Sequence, residues 1–412
     1  MSPGATDIGL PSPDKVREWL RAAAADPAAL PDEGYEALLG ADGQPLADLC
    51  ALADSLRQQA AGSTLTYVVN RNLDTSVVAG AGARSRARLA ALVTEARELG
   101  ATEICMQGPL PAGSDDDYLD LIAAVAAPAP GIHLHAFRVP ELLDGAARRG
   151  MPLEEFLLAA REAGLGSVPG TAARILDDDV RARLAGGRDL PVSRWVEVIE
   201  AAHRAGLAST ATIVFGHIET PAHQVAHLRT LAGIQDRTGG FTEFIAMPFV
   251  PAAASPAPGL TAPAGLPASA GIPAPAGIPA PAGFPTVGPP VPTPAPGMVA
   301  PTPAPGLAGA NVPGPSWRQV RAVHAVARLM LHERIGNIQA AWPKFGLDAS
   351  VDLLRSGAND LGGLLLDGRL APDAGAEAGL VLTLDEVERV ARELGRPLWQ
   401  RTTSYGKVIA GV

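Results

Sequence analysis

TATIVFGHIETPAHQVAHLRTLAGIQDRTGGFTEFIAMPF, residues 210–249, carries one complete strand–helix–strand unit. A β-branched apolar run (210–216) is followed by an amphipathic stretch (221–237) and then by a second apolar run (242–249). Two strands joined through a helix are read as parallel neighbours, since no hairpin turn links them. The same alternation extends in both directions. The other strand-like runs are LTYVVN (65–70), TEICMQ (102–107), IHLHAF (132–137), GSVPG (166–170), NIQAAW (337–342) and LGGLLL (361–366). Amphipathic runs lie between them at 84–99, 115–127, 152–163, 171–184 with 193–205, 317–332 and 347–356. Short apolar strands alternating with helices signal a parallel sheet covered by helices, and eight such units favour a closed barrel over an open sheet. Helices at 13–26, 31–40 and 44–60 precede the barrel, and one at 383–395 follows it. The expected fold class is α/β, a TIM-like (βα) barrel with N-terminal helices.

One stretch interrupts this pattern. From Pro251 to Trp317 there is no charged residue before the tryptophan, and a hexapeptide recurs as APAGLP (262–267), ASAGIP (268–273), APAGIP (274–279) and APAGFP (280–285). Proline removes donors and fixes φ while glycine keeps the chain loose, so a disordered Pro/Ala/Gly-rich insert is expected. The segments are thus 1–62 (helical), 63–250 (first part of the barrel), 251–316 (insert) and 317–412 (rest of the barrel and last helix). The insert leaves from a strand end after Phe249. It is either a partner-binding arm or a tolerated surface insertion.

Composition narrows the function. Only 4% of residues are aromatic although 47% are hydrophobic, so the core is aliphatic. A net charge of −10 and a pI near 5.3 argue against nucleic acid or an anionic membrane as main partner. No apolar run reaches the ~18 residues a membrane span needs. The two cysteines, Cys50 and Cys105, read as buried thiols in a reducing cytoplasm. Two thiols cannot build a conventional three- or four-cysteine zinc or iron–sulfur site, so no metal is assigned.

Barrels of this class place their chemistry at the C-terminal ends of the strands. The polar candidates there are Asn70 with Arg71 and Asn72, Gln107 and Gly108, His133 and His135, His217, Glu243, Gln339, Asn359 and Asp360. His133 and His135 stand two apart on a strand and share a face; they are substrate contacts or hydrogen-bonded interior histidines. His217, with Glu219 beyond it, is placed to orient a substrate hydroxyl. His223 and His227 are four apart on a helix, a metal-capable spacing that is most often a surface feature. Asn359 and Asp360 are a polar contact or a turn.

Ten words occur in a fixed order: LTYVVNRN, GATEICMQG, IHLHAF, AGLGSVPGTAARIL, WVEVIEAAHRAGL, ATIVFGHIETPAHQVAHL, IQDRTGGFTEF, NIQAAWPKFG, GANDLGG and QRTTSYG. Together they resemble the CofH family, the radical-SAM component of FO synthase in deazaflavin coenzyme biosynthesis. The resemblance runs from about Leu65 to Tyr405. It implies a [4Fe–4S] cluster held by a Cys-x3-Cys-x2-Cys loop after the first strand, and S-adenosylmethionine as source of a radical that attacks tyrosine. The hydroxybenzyl fragment is then joined to 5-amino-6-ribitylaminouracil. Gln107, Gly108 and Thr171 match positions expected to face S-adenosylmethionine, and Tyr67 and Asn70 precede the cluster loop. A tyrosine- or ribitylaminouracil-like molecule is the implied ligand; an intact FO synthase is the partner expected in the scaffold reading below.

The departure from the family lies at that loop. After Asn72 the chain reads LDTSVVAGAGARSRARLAALVTEARELGATE, with no cysteine and no histidine. Asp74 alone could act as a hard ligand there, and one carboxylate does not replace three thiolates around soft iron–sulfide. Pro109, Arg174 and Pro343 also stand where the family has other residues, and 364–379 matches it poorly. Three readings follow: a descendant without radical chemistry that keeps affinity for an aromatic amino acid, uracil precursor or nucleoside; a scaffold using the 251–316 arm; or a cluster-independent enzyme using His133, His135, His217 and Glu243. For the fold itself, an aspartate at Val68 or Ile213 should destabilise by several kcal/mol in a thermal melt, because a buried carboxyl that neutralises still lacks hydrogen-bond partners, at a cost of about 2–7 kcal/mol. Substitutions within 262–285 should leave the midpoint unmoved.

Overall fold

The computed structural model describes residues 12–250, 314–370 and 380–408, apart from 81, 112, 188 and 367; most of the expected insert and the stretch 371–379 lie outside them. Ten strands form one all-parallel sheet: β1 (Leu65–Val68), β2 (Asn70–Asp74), β3 (Glu103–Gln107), β4 (His133–Ala136), β5 (Leu165–Val168), β6 (Ala208–Phe215), β7 (Phe241–Pro248), β8 (Ile338–Gln339), β9 (Asp360–Gly363) and β10 (Leu398–Gln400). Their order is β10-β1-β9-β8-β7-β6-β5-β4-β3-β2.

The two halves of one extended segment, β1 and β2, stand at or next to the ends of that order. On one side, the amide of Leu364 donates to Val68 O at 3.0 Å and that of Leu366 to Asn70 O at 2.8 Å. On the other, Thr102 N–H donates to Val69 O at 2.9 Å, and Asn70–Asp74 run in register with Glu103–Gln107. The sheet therefore curls back on itself through residues 65–74, giving eight strand positions around a barrel, each within or adjoining one of the eight apolar runs. β10 is an addition, paired to β1 from Leu65↔Leu398 to Tyr67↔Gln400.

Helices coat the outside. Those from Ala83–Glu98, Val192–Arg204, Pro221–Thr238 and Trp317–Met330 each bury an aliphatic stripe against the strands or neighbouring helices. Besides the one-turn helices Thr75–Val78 and Trp342–Phe345, one longer helix and one strand escaped the sequence pattern. The helix Val139–Arg149 has Pro140 in its first turn and Gly145 at its middle, which weakens a helical reading. Its bare Cα exists because the Phe156 ring fills the space a Cβ would take. β10 has three residues after a proline and no alternation; only its pairing with β1 makes it a strand.

Ladder irregularities fall beside interior polar residues. Between β4 and β5 the register steps from Leu134↔Leu165 to His135↔Ser167, leaving Gly166 extra. Between β6 and β7 it steps before Glu243, and between β1 and β9 after Asp360. Such bulges re-aim side chains.

Buried arginines tie loops to the shell. Arg328, fully buried, donates to Gly357 O and Gly336 O at 2.8 Å each and to Asn359 Oδ1 at 3.0 Å. Asn359 Oδ1 also receives Ile338 N–H at 2.8 Å, so it fixes the spacing of β8 and β9. Arg328→Met should strand these acceptors and lower stability by about 3 kcal/mol or more, read as the urea midpoint; a midpoint within error of the parent would contradict this account of the joint.

Candidate active site

The interior floor, at the N-terminal ends of the strands, is polar. A hairpin after β10, closed by Thr402 N–H to Gly406 O at 2.8 Å, carries Arg401, Thr403 and Tyr405 into the barrel. Arg401 bonds Asp360 at 2.6 and 2.9 Å and Glu243 at 3.2 Å. Its guanidinium lies 4.1 Å from the Tyr405 ring centroid. The Tyr405 hydroxyl donates to Glu243 at 2.5 Å and that of Thr403 to Glu103 at 2.7 Å. Thr66 donates to Asp360 at 2.6 Å, and Asn70 to Glu103 at 3.4 Å.

Two carboxylates, Asp360 and Glu243, thus share one guanidinium, while Glu103 is held by Thr403 and Asn70. Burial pushes the Glu243 carboxyl up to about 7; Arg401 opposes the shift and Asp360 adds to it. Burial works against the charge of Arg401, yet Asp360, Tyr405 and Glu243 together hold it well above its ordinary value. Burial likewise raises the Tyr405 phenol.

Above this floor, the Ser167 hydroxyl sits between two imidazoles, 2.7 Å from His133 Nε2 and 2.6 Å from His135 Nδ1. Burial lowers the affinity of both rings for a second proton, in His135 to about 3 with Arg401 contributing. At the upper rim, Thr171 donates to Gln107 Oε1 at 3.0 Å and Gln107 Nε2 faces Cys105 Sγ at 3.3 Å. Gly108 has φ +118°, and a Cβ there would stand 2.8 Å from Asp74 Oδ1. Asp74 caps the one-turn helix Thr75–Val78 by accepting Ser76 N–H at 2.8 Å.

No family model matches the chain. Among curated proteins it is 40% identical over 427 residues to FO synthase of Nocardia farcinica, covering 98% of this chain and 43% of that protein. It is 35% identical over 411 residues to 5-amino-6-(D-ribitylamino)uracil–L-tyrosine 4-hydroxyphenyl transferase of Methanothermobacter thermautotrophicus, covering 96% and 98%. The chain belongs to the CofH family. It spans less than half of the FO synthases it matches and nearly all of the methanogen transferase. Among solved structures, methylornithine synthase PylB superposes with a TM-score of 0.58 at 15% identity, covering 93% and 97% of the two chains. The hydrogenase maturase HydG from Carboxydothermus hydrogenoformans gives 0.59 at 12%, covering 95% and 81%. These two establish the barrel fold.

The residues present do not fit the iron–sulfur cluster that the CofH family implies. Cys50 lies in the outer helix Gly43–Ala61 and Cys105 in β3, both buried. The first strand–helix connection, from Thr75 to the helix starting at Ala83, holds neither cysteine nor histidine. Among the described residues no group of three or more His, Cys, Asp or Glu side chains could hold a metal ion.

The sequence candidates divide by level. His133, Glu243 and Asp360 stand at or near the beginnings of their strands, with Asn359 just before β9, so the floor rather than the C-terminal mouth brings Glu243, Asp360 and Asn70 together. Gln107, Gly108 and Thr171 meet at the rim. Gln339 lies in β8, its side chain over the bare Cα of Gly362. Tyr67 is buried in β1. The His217 ring turns back on its own strand, with Nε2 3.0 Å from Val214 O and Nδ1 2.8 Å from Glu219. Burial would raise Glu219, but His217 and the Gly216 amide outweigh it and bring it to about 2. His227 is fully buried between Leu176 N–H and Thr212 O. His223 caps its helix, so the i, i+4 pair does not converge.

Sequence reasoning passed over Arg401, Thr403, Tyr405, Glu103 and Ser167. QRTTSYG carried a family likeness but no role. Glu103 was visible as an acid inside an apolar strand, in phase with Cys105 and Gln107.

The buried groups set the response to acid. His135 and His227 protonate near 3 in the folded chain, His203 and His324 near 4, all lowered chiefly by burial. Unfolding restores about 6.5, so below that pH the unfolded chain binds more protons and stability falls. Glu243, raised to about 7, acts the opposite way above about 4.5. Four imidazoles outweigh one carboxyl. Urea midpoints should therefore rise from pH 4.5 to 6.5, at about 1.4 kcal/mol per pH unit for each proton difference; a level or falling profile would show the histidines are not held neutral.

Proposed function

We propose that this chain is a CofH-family protein that keeps the barrel and its polar interior for a small ligand but does not carry out the radical step. The observation that carries this reading is the thiol inventory. Cys50 and Cys105 are buried on different elements, and the segment where the family's cluster loop is expected begins with the turn Thr75–Val78 capped by Asp74 and holds neither cysteine nor histidine. Electron transfer to a sulfonium belongs to the cofactor, not to the polypeptide, so losing the ligands removes the step at its source.

What remains supports binding. The interior offers Ser167 with two neutral imidazoles, the Glu243–Tyr405–Arg401 group and the Gln107–Thr171 pair, a mixture of donors and acceptors suited to a phenol or a uracil ring. The Methanothermobacter relative is named for tyrosine and 5-amino-6-(D-ribitylamino)uracil; these are the ligands proposed for this chain.

Anaerobic reconstitution with iron and sulfide should give no stoichiometric four-iron centre, no cluster absorbance and no 5′-deoxyadenosine from S-adenosylmethionine. Calorimetric titration of the same protein with 5-amino-6-(D-ribitylamino)uracil should give saturable binding. A four-iron centre that cleaves S-adenosylmethionine would overturn the loss of chemistry, and absence of binding would overturn the retained site.

A further inference from the structure

The interior histidines are tied into one unit by a single hydroxyl. Ser167 Oγ lies 2.7 Å from His133 Nε2 and 2.6 Å from His135 Nδ1. No hydrogen bond to a described residue engages the other nitrogen of either ring, and neither is among the sealed, unpartnered polar atoms. The arrangement depends on the β5 bulge. Gly166 is the extra residue there, and a Cβ on it would stand 2.5 Å from His133 Cε1 and 2.7 Å from Nε2. A bare Cα lets the His133 ring lean over β5 and meet the same hydroxyl as His135.

A hydroxyl has one proton to give. Between two neutral imidazoles it donates to one and accepts from the other. Because Ser167 meets Nε2 of one ring and Nδ1 of the other, both rings must then carry their proton on the same type of nitrogen. If His133 donates from Nε2, His135 accepts at Nδ1 and holds its proton on Nε2. If Ser167 donates to His133, both protons lie on Nδ1. The rings differ in setting: His133 opens β4 beside the Glu103 carboxylate and is partly exposed, while His135 is 8% exposed, with Arg401 near it.

We propose that His133, Ser167 and His135 form a proton relay between the barrel floor and its interior, delivering or removing a proton at His135 Nε2. A proton taken up at His133 Nδ1 sends the one on Nε2 to Ser167 Oγ. The hydroxyl proton moves to His135 Nδ1, and His135 releases the proton on Nε2. One proton enters and one leaves, no net charge stays, and both rings change tautomer together. The inner end suits a ligand that exchanges a proton at a neutral heteroatom, such as a phenol O–H or a lactam N–H. The relay stands on the geometry of β4 and β5 and does not require the ligand proposed above.

Full-length protein with 15N-labelled histidine would test it by long-range 1H–15N correlation. In the parent, His133 and His135 should show the same neutral tautomer. In Ser167→Ala the two tautomers should become independent, and the His135 ring proton should exchange with water about tenfold more slowly. Backbone-amide protection in β4 and β5 reports whether the variant is folded. Gly166→Ala, which displaces the His133 ring and keeps the hydroxyl on His135, should slow the same exchange if Ser167→Ala does not fold. Opposite tautomers in the parent, or unchanged exchange in a folded variant, would sink the relay.

Discussion

The barrel interior is organised around one buried guanidinium. Arg401 reaches the floor from an added strand and meets Asp360 from β9 and Glu243 from β7, with Tyr405 stacked on it. Uncompensated, three interior acids would repel one another in a medium where each charge is costly. With Arg401 in place Asp360 is doubly bonded, Glu243 shares its bonds with Tyr405, and Glu103 turns to Thr403 and Asn70. The sheet closes over this cluster, so the polar floor and the ring geometry are one construction.

That network lies at the N-terminal end of the barrel, away from the C-terminal rim. The C-terminal rim, where the cluster and its cosubstrate would sit, consists of short bonds satisfied within the protein: Asp74 capping a turn, Thr171 paired to Gln107, His217 folded back on Val214. The floor, by contrast, retains a dense polar network. None of the floor's bonds passes through the connection between β2 and the helix starting at Ala83.

Much of the fold was legible because each strand is a short apolar word and each helix an amphipathic one. All eight barrel strands lay within or adjoining such words, and the three N-terminal helices agree within about two residues, the ordinary uncertainty of helix ends. The helix from Val139 was hidden because its central glycine answers to Phe156, a neighbour that periodicity cannot see. β10 was hidden because its partner is more than three hundred residues upstream. The site was less legible for the same reason. His133 and His135 were visible as a pair, but Ser167 joins them only through a bulge in another strand, and Arg401 finds its acids only after the ring has closed. Pro343, which departs from the family, proved compatible: it sits in the first turn of a short helix, where proline is tolerated.

The closure through residues 65–74 also bears on how the chain reaches its structure. The Thr66–Asp360 contact spans 294 positions and the Thr403–Glu103 contact 300. Contacts of such separation form late, since loop entropy is lost before they repay it. Strands β2 to β7 can assemble as an open, curled sheet, but β1 has no partners until β9 and β10 arrive. Until then its edge and the interior acids face water together, a state whose lifetime depends on the order of assembly. The proline-rich stretch between β7 and β8 lengthens that loop at little cost, because each doubling adds only about 0.6 kcal/mol.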